Sequence, residues 1–187
     1  MSNSMNETPL SWKESGHRWL WIAALVVVLD QLTKLWVVAT IPFKQLVYVL
    51  PVLDITYTVN PGAAWSMFAD SGGTQRWLLS ALAIGVSVVL VIWLRKLKFS
   101  AHTLLIGGLT LILGGAIGNV IDRLRLGHVI DFVHAHWNES SFPAFNVADA
   151  AISVGAACVI LDALFESRRA KRTAAAQAPG ARSQDPG

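Results

Sequence analysis

Apolar residues in this chain come in long unbroken runs, not in alternating or narrow helical stripes. Segments 19–29, 77–94 and 99–121 contain no Asp, Glu, Lys or Arg. A helix rises about 1.5 Å per residue and a bilayer core is about 30 Å thick, so a span needs roughly 20 mostly apolar residues. Four segments qualify, at about 19–39, 77–94, 102–121 and 147–165. The pattern predicts an α-helical integral membrane protein with four transmembrane helices. The first span is not read as a cleavable signal peptide. Its apolar stretch runs on into Asp30-Gln31-Leu32-Thr33-Lys34, and no small-residue cleavage pattern follows.

One segment has a different period. From Pro51 to Asn60, Leu53, Ile55, Tyr57 and Val59 alternate with Asp54, Thr56, Thr58 and Asn60, which predicts a strand. A strand edge cannot face lipid, so this strand belongs above the bilayer or against protein. Asn60-Pro61-Gly62 is a turn signal. Residues 63–68 then read as a short interfacial helix carrying Trp65 and Phe68. A small extracytoplasmic β-sheet and this helix are expected over about 43–72. Gly114 with Gly118, and Ala151 with Gly155, are small-residue pairs that let helices approach closely in lipid.

Composition narrows the class further. Of 187 residues, 53% are hydrophobic and 14% charged, with a mean hydropathy of +0.49. A soluble domain carries about 25% charged residues. A soluble fold and a disordered body are both excluded, and the single Cys158 excludes a disulfide framework. The net charge of +3 comes from basic residues at the ends of apolar runs, so no nucleic-acid partner is expected. Lys13 and Arg18 precede the first span, Arg95, Lys96 and Lys98 lie between the second and third, and Arg168, Arg169, Lys171 and Arg172 follow the fourth. The positive-inside rule then puts both termini in the cytoplasm. Three regions result: a cytoplasmic segment 1–16, a four-span body 17–168, and a basic, disordered tail 169–187.

Ionisable and amide side chains in or beside spans are costly and mark function. Five groups stand out: Asp30 with Lys34; Asn60; Asn119 with Asp122 and Arg123; Asp131; and Asn146 with Asp149. Each also has a purely structural explanation. Asp30 and Lys34 are spaced for a helical ion pair. Arg123 suits a helix C-terminus. Asn146 and Asp149 are spaced as a helix cap. Asp131 suits a satisfied loop acid. His134 and His136 fall on one face of a strand without an acid at metal-site spacing, so no metal is expected. Shared depth connects the groups. Two aspartates in a poorly hydrated site cannot both stay ionised. One keeps a proton and the other can draw a proton from water, which allows amide hydrolysis without metal or nucleophile. Cys158 has no nearby His, Ser153 has no base at a plausible spacing, and no phosphate-binding loop is present.

Asp30-Gln31-Leu32-Thr33-Lys34, Asn60-Pro61-Gly62-Ala63-Ala64-Trp65, Gly118-Asn119-Val120-Ile121-Asp122-Arg123, Val129-Ile130-Asp131-Phe132 and Phe145-Asn146-Val147-Ala148-Asp149 occur in this order. The chain thereby resembles the bacterial lipoprotein signal peptidases, or signal peptidase II, over about residues 17–168. A monomer with no cofactor is expected, and the resemblance implies a plasma-membrane aspartic endopeptidase. It implies cleavage of prolipoproteins just before a diacylglyceryl-modified cysteine, among membrane lipids and near the extracytoplasmic face. Asp131 and Asp149 match the catalytic pair. Asp30, Lys34, Asn60, Gly62, Asn119, Arg123 and Asn146 match substrate-binding or supporting positions. Asp122 matches a motif acid that also matters for activity, and its place beside Arg123 suits support better than acid–base work. The strand at 53–59 and the Trp65 helix are expected to clamp the extended peptide. A proton-coupled transporter is the competing class. Its signature would be broken helices and repeat-like halves, and the sequence has no internal repeat.

Overall fold

In this computed structural model, residues 10–12, 14–62, 74–138 and 140–177 are described. Four long helices form the body: α1 (Leu20–Thr40), α2 (Thr74–Lys96), α3 (Thr103–Leu126) and α4 (Val147–Gln177). All four are long and apolar enough to cross a membrane. Helix α3 is the hub and packs against each of the other three. Most of its length is buried, whereas α2 and α4 expose Leu, Ile, Val and Trp over most of theirs. That distribution suits a bundle solvated by lipid, where apolar side chains face outward without penalty.

Small residues set the spacing around α3. A methyl group on Gly108 would meet Gly155 O at 2.7 Å, and one on Gly114 would meet Ala23 O at 2.8 Å. Gly114 and Gly155 of the predicted pairs thus serve close backbone approach, whereas Gly118 faces the Asp30 side chain. At one end of the bundle, Ala23, Leu90, Leu94, Ile106, Leu109 and Leu113 form an apolar core. There the chain before α1 docks on the α2–α3 connection through Gly16 N to Leu97 O (3.0 Å) and Phe99 N to Glu14 O (2.8 Å).

The other end carries an antiparallel sheet of β1 (Leu46–Leu50), β2 (Leu53–Asn60), β3 (Val129–Trp137) and β4 (Ser140–Ser141), in that order. The expected strand is β2. Half of the sheet, however, comes from β3 and β4, outside the 43–72 segment in which it was expected. The physical reason lies at Gly127. Its φ of +82° ends α3 in the left-handed conformation, with Gly127 N bonded to Arg123 O at 3.1 Å. Such a cap turns the chain sharply out of the helix and straight into β3. Thr58 then lies opposite Asp131, and Asn60 opposite Val129. Val37, Ile41 and Phe132, with Ile55, Tyr57, Val133 and Val147 against them, join the sheet to the ends of α1 and α4.

Two further points modify the expectations. Helix α4 continues to Gln177, well into the segment expected to be disordered. That stretch is rich in Ala, Arg and Lys, which are strong helix formers. Residues 178–187 lie outside the described residues, as does the expected interfacial helix with Trp65 and Phe68.

Candidate active site

The polar residues singled out from the sequence converge where α1, α3, β3 and the start of α4 meet. Asn146 caps α4: its Oδ1 accepts from Asp149 N at 2.9 Å. The next free amide of that helix, Ala148 N, is satisfied by Asp30 Oδ1 at 2.9 Å, from α1. Both bonds satisfy first-turn donors that have no partner within the helix. Gly118 permits the approach of Asp30, because a methyl group there would lie 2.8 Å from Asp30 Oδ2.

Lys34 is 2% exposed and lies 2.8 Å from both Asp30 Oδ2 and Asp122 Oδ2. The i,i+4 pair of the sequence is therefore one arm of a buried triad linking α1 to α3. Asp122 also accepts from Ile130 N (3.2 Å) and from Gln31 Nε2 (2.9 Å). Gln31 was missed as a site residue. It also donates to Gly118 O and Asp30 Oδ2, and its only sequence signal was its position between two motif residues. Arg123 donates from Nη1 to Asn119 O at 3.4 Å and lies within electrostatic reach of Asp149, Asp122 and Asp131.

Asp131 and Asp149 are bridged by two amides. Asn146 Nδ2 donates to Asp131 Oδ1 at 2.7 Å and contacts Asn119 Oδ1 at 3.3 Å. Asn119 Nδ2 donates to Asp149 Oδ1 at 2.7 Å. Asp131 is buried and Asp149 half-buried. Burial, then the charge of Asp149, pushes the Asp131 carboxyl up from 3.8 to about 6, against hydrogen bonds from Asn60 and Asn146 and the charge of Lys34. Asn60 can donate to Asp131 because its Oδ1 is held by Gly62 N at 2.8 Å. Gln75 Nε2 in turn bonds Gly62 O, so the turn after β2 is tied to α2. All ten sequence-derived site residues thus belong to one connected region.

His134 and His136 lie apart from it. Strand alternation turns them to the face opposite Asp131. The acid that their sequence spacing lacks comes from the neighbouring strand. Asp54 Oδ2 is 3.8 Å from His134 Nδ1 and 3.2 Å from His136 Nε2.

The model of the family described as "Signal peptidase (SPase) II" matches residues 22–165. The chain belongs to the signal peptidase II family. It is 48% identical to the lipoprotein signal peptidase of Shewanella halifaxensis over 165 residues, 88% of this chain and 96% of that protein. The lipoprotein signal peptidase of Shewanella woodyi is 49% identical over 156 residues, 83% and 88% of the two chains. Among solved structures, a bacterial membrane enzyme obtained by the in meso method at 2.3 Å resolution aligns with a TM-score of 0.70. It is 29% identical and covers 81% of this chain and 90% of its own. The chain is therefore a multi-pass membrane protease of a family that removes signal peptides from prolipoproteins, built as four apolar helices with a small antiparallel sheet.

Proposed function

We propose that the peptidase is an aspartic endopeptidase that cuts prolipoproteins immediately before the diacylglyceryl-modified cysteine, with Asp131 and Asp149 as its catalytic pair. The observation that carries this reading is the amide bridge. Asn146 and Asn119 each hold the Oδ1 of one aspartate at 2.7 Å, which orients both carboxyl groups within one buried network. Burial favours Asp131 as the proton-bearing member, and half-buried Asp149 faces water as the base.

In the reaction, Asp149 takes a proton from water as the water oxygen bonds to the scissile carbonyl carbon. Asp131 donates a hydrogen bond to the carbonyl oxygen. The C–N bond then breaks, and the leaving amine takes a proton from the pair. Asp122 is assigned support, because its oxygens are occupied by Lys34, Gln31 and Ile130 N. Asp30, Lys34, Asn60, Gly62, Asn119, Arg123 and Asn146 position the pair or the substrate.

The same reading places the enzyme in the bacterial plasma membrane as a monomer, with both termini in the cytoplasm and the sheet outside. The cluster of Lys and Arg at the end of the bundle opposite the sheet supports that orientation. A lipid-held substrate would reach the aspartates from the bilayer, and water would reach them from the sheet side. The test is cleavage of a diacylated lipobox peptide and its non-acylated counterpart by the purified protein. Cleavage of the acylated peptide alone, before Cys, is expected, with Asp131→Asn and Asp149→Asn both folded and inactive. Normal cleavage by either variant would overturn the assignment.

A further inference from the structure

We propose that His102, Asp162 and Glu166 form a zinc-type divalent-metal site that ties the start of α3 to α4, at the end of the bundle away from the aspartates. His102 immediately precedes α3, and the two acids lie one turn apart on α4. The three side chains bring ligand atoms within 4.8 Å of one another.

Three physical points favour a cation there. Two carboxylates at i,i+4 on a helix repel each other, and a shared cation relieves the repulsion. His102 Nδ1 is itself shut off from solvent and makes no hydrogen bond among the described residues, its nearest polar group being the Glu166 carboxylate, with Oε1 3.3 Å away. Finally, that one separation is near the spacing of a tetrahedral zinc site, and the Asp162 ligand atom lies within 4.8 Å of both others. Metal–ligand lengths of about 2.1 Å require ligand atoms about 3.4 Å apart. One nitrogen from the residue before α3 and two carboxylates from α4 give a three-ligand set, which leaves a fourth tetrahedral position for water. The Glu166 side chain is 59% exposed, so metal would enter from its side. Asp162 lies about 20 Å farther along α4 than Asp149, by the helical rise, so the site is separate from the proposed catalytic pair.

The test uses the full chain in detergent micelles, stripped of metal, equilibrated with ZnCl2, dialysed and assayed for bound zinc and thermal midpoint. One zinc per chain and a raised midpoint are expected for the wild type. His102→Ala and Glu166→Gln should each weaken retention by at least the roughly 10-fold that even an outer partner of a metal ligand costs. Both metal-free variants should cleave lipopeptide at the wild-type rate. Glu166→Gln changes an exposed side chain isosterically and keeps the test decisive if His102→Ala does not fold. The His134→Ala/His136→Ala double variant should bind zinc as the wild type does. A wild type that retains no zinc, full retention by both single variants, or loss confined to the His134/His136 variant would each overturn the proposal.

Discussion

Asp131→Asn should inactivate the peptidase and stabilise its fold, and the size of the gain follows from the site. In the folded chain the Asp131 carboxyl titrates at about 6, against 3.8 without its surroundings. The folded state therefore binds a proton more tightly than the unfolded state does. Between these two values the folded form holds more protons, so stability falls as pH rises. Above the window the ionised side chain opposes folding by at most about 3 kcal/mol, at about 1.4 kcal/mol per pH unit. Asparagine cannot ionise, yet its Oδ1 can still accept the bond from Asn146 Nδ2. Thermal unfolding in detergent, followed by tryptophan fluorescence from about pH 4 to pH 8, reads the effect. The wild-type midpoint should fall across the window, while the variant stays flat and melts higher at the alkaline end. Equal slopes for the two proteins, or a variant that melts lower at alkaline pH, would refute the link between burial of Asp131 and its raised proton affinity.

Other substitutions separate structure from chemistry. Lys34→Met leaves Asp30 and Asp122 buried without a counter-ion, and should cost about 3–5 kcal/mol, read as a lowered unfolding midpoint. Asn146→Ser keeps an oxygen to cap α4 but is too short to reach Asp131, so kcat should fall, and the buried acceptors left by Nδ2 on Asp131 and Ile130 should lower stability by about 1–3 kcal/mol. Loss of stability without loss of kcat would reverse that account. Gly115→Ala drives a methyl group into Ala148 O and Ile152 of α4 and should cost about 1–3 kcal/mol, with kcat reduced because α4 carries Asp149. Gly85→Ala meets nothing within 4 Å and should fold within about 1 kcal/mol of the wild type, on the stabilising side.

The helices and the site composition were legible in the sequence because both follow from single-segment costs. A span is fixed by uninterrupted apolar length, and an amide or acid inside it needs a reason. Strand β2 was legible because its apolar and polar residues alternate, although its one buried residue is Thr56. Strands β3 and β4 were harder to see. The 129–133 stretch of β3 is mostly buried on both faces and shows little alternation, and β4 is two residues long. The end of α4 was expected to be disordered from the Ala/Gly/Pro/Gln-rich composition of the tail, although Ala, Arg and Lys extend a helix readily. Gln31 and Asp54 could not be assigned from spacing at all, since their partners are on other elements: Gly118 and Asp122 for the first, His134 and His136 for the second.

On the proposed assignment, the structural and catalytic explanations of these residues share one geometry. Asn146 is a helix cap, and the side chain that caps with Oδ1 reaches Asp131 with Nδ2. Asn119 Oδ1 lies 3.3 Å from both Lys34 Nζ and Asn146 Nδ2. Two donors aimed at that oxygen fix which end of the amide is which, so the NH2 group must point at Asp149 Oδ1. Asn146 and Asn119 thus hold Oδ1 of Asp131 and of Asp149, with Asn60 a second amide donor to Asp131, and on the proposed assignment the shared proton, the water and the substrate carbonyl meet between the two carboxyl groups. Lys34 needs no contact with substrate to matter. By holding Asp30 and Asp122, it fixes the start of α4 through Ala148 N and the start of β3 through Ile130 N, the two backbone positions next to Asp149 and Asp131. Hence a Lys34 variant that still folds should lose kcat more than KM, because the damage falls on the relative placement of two carboxyl groups.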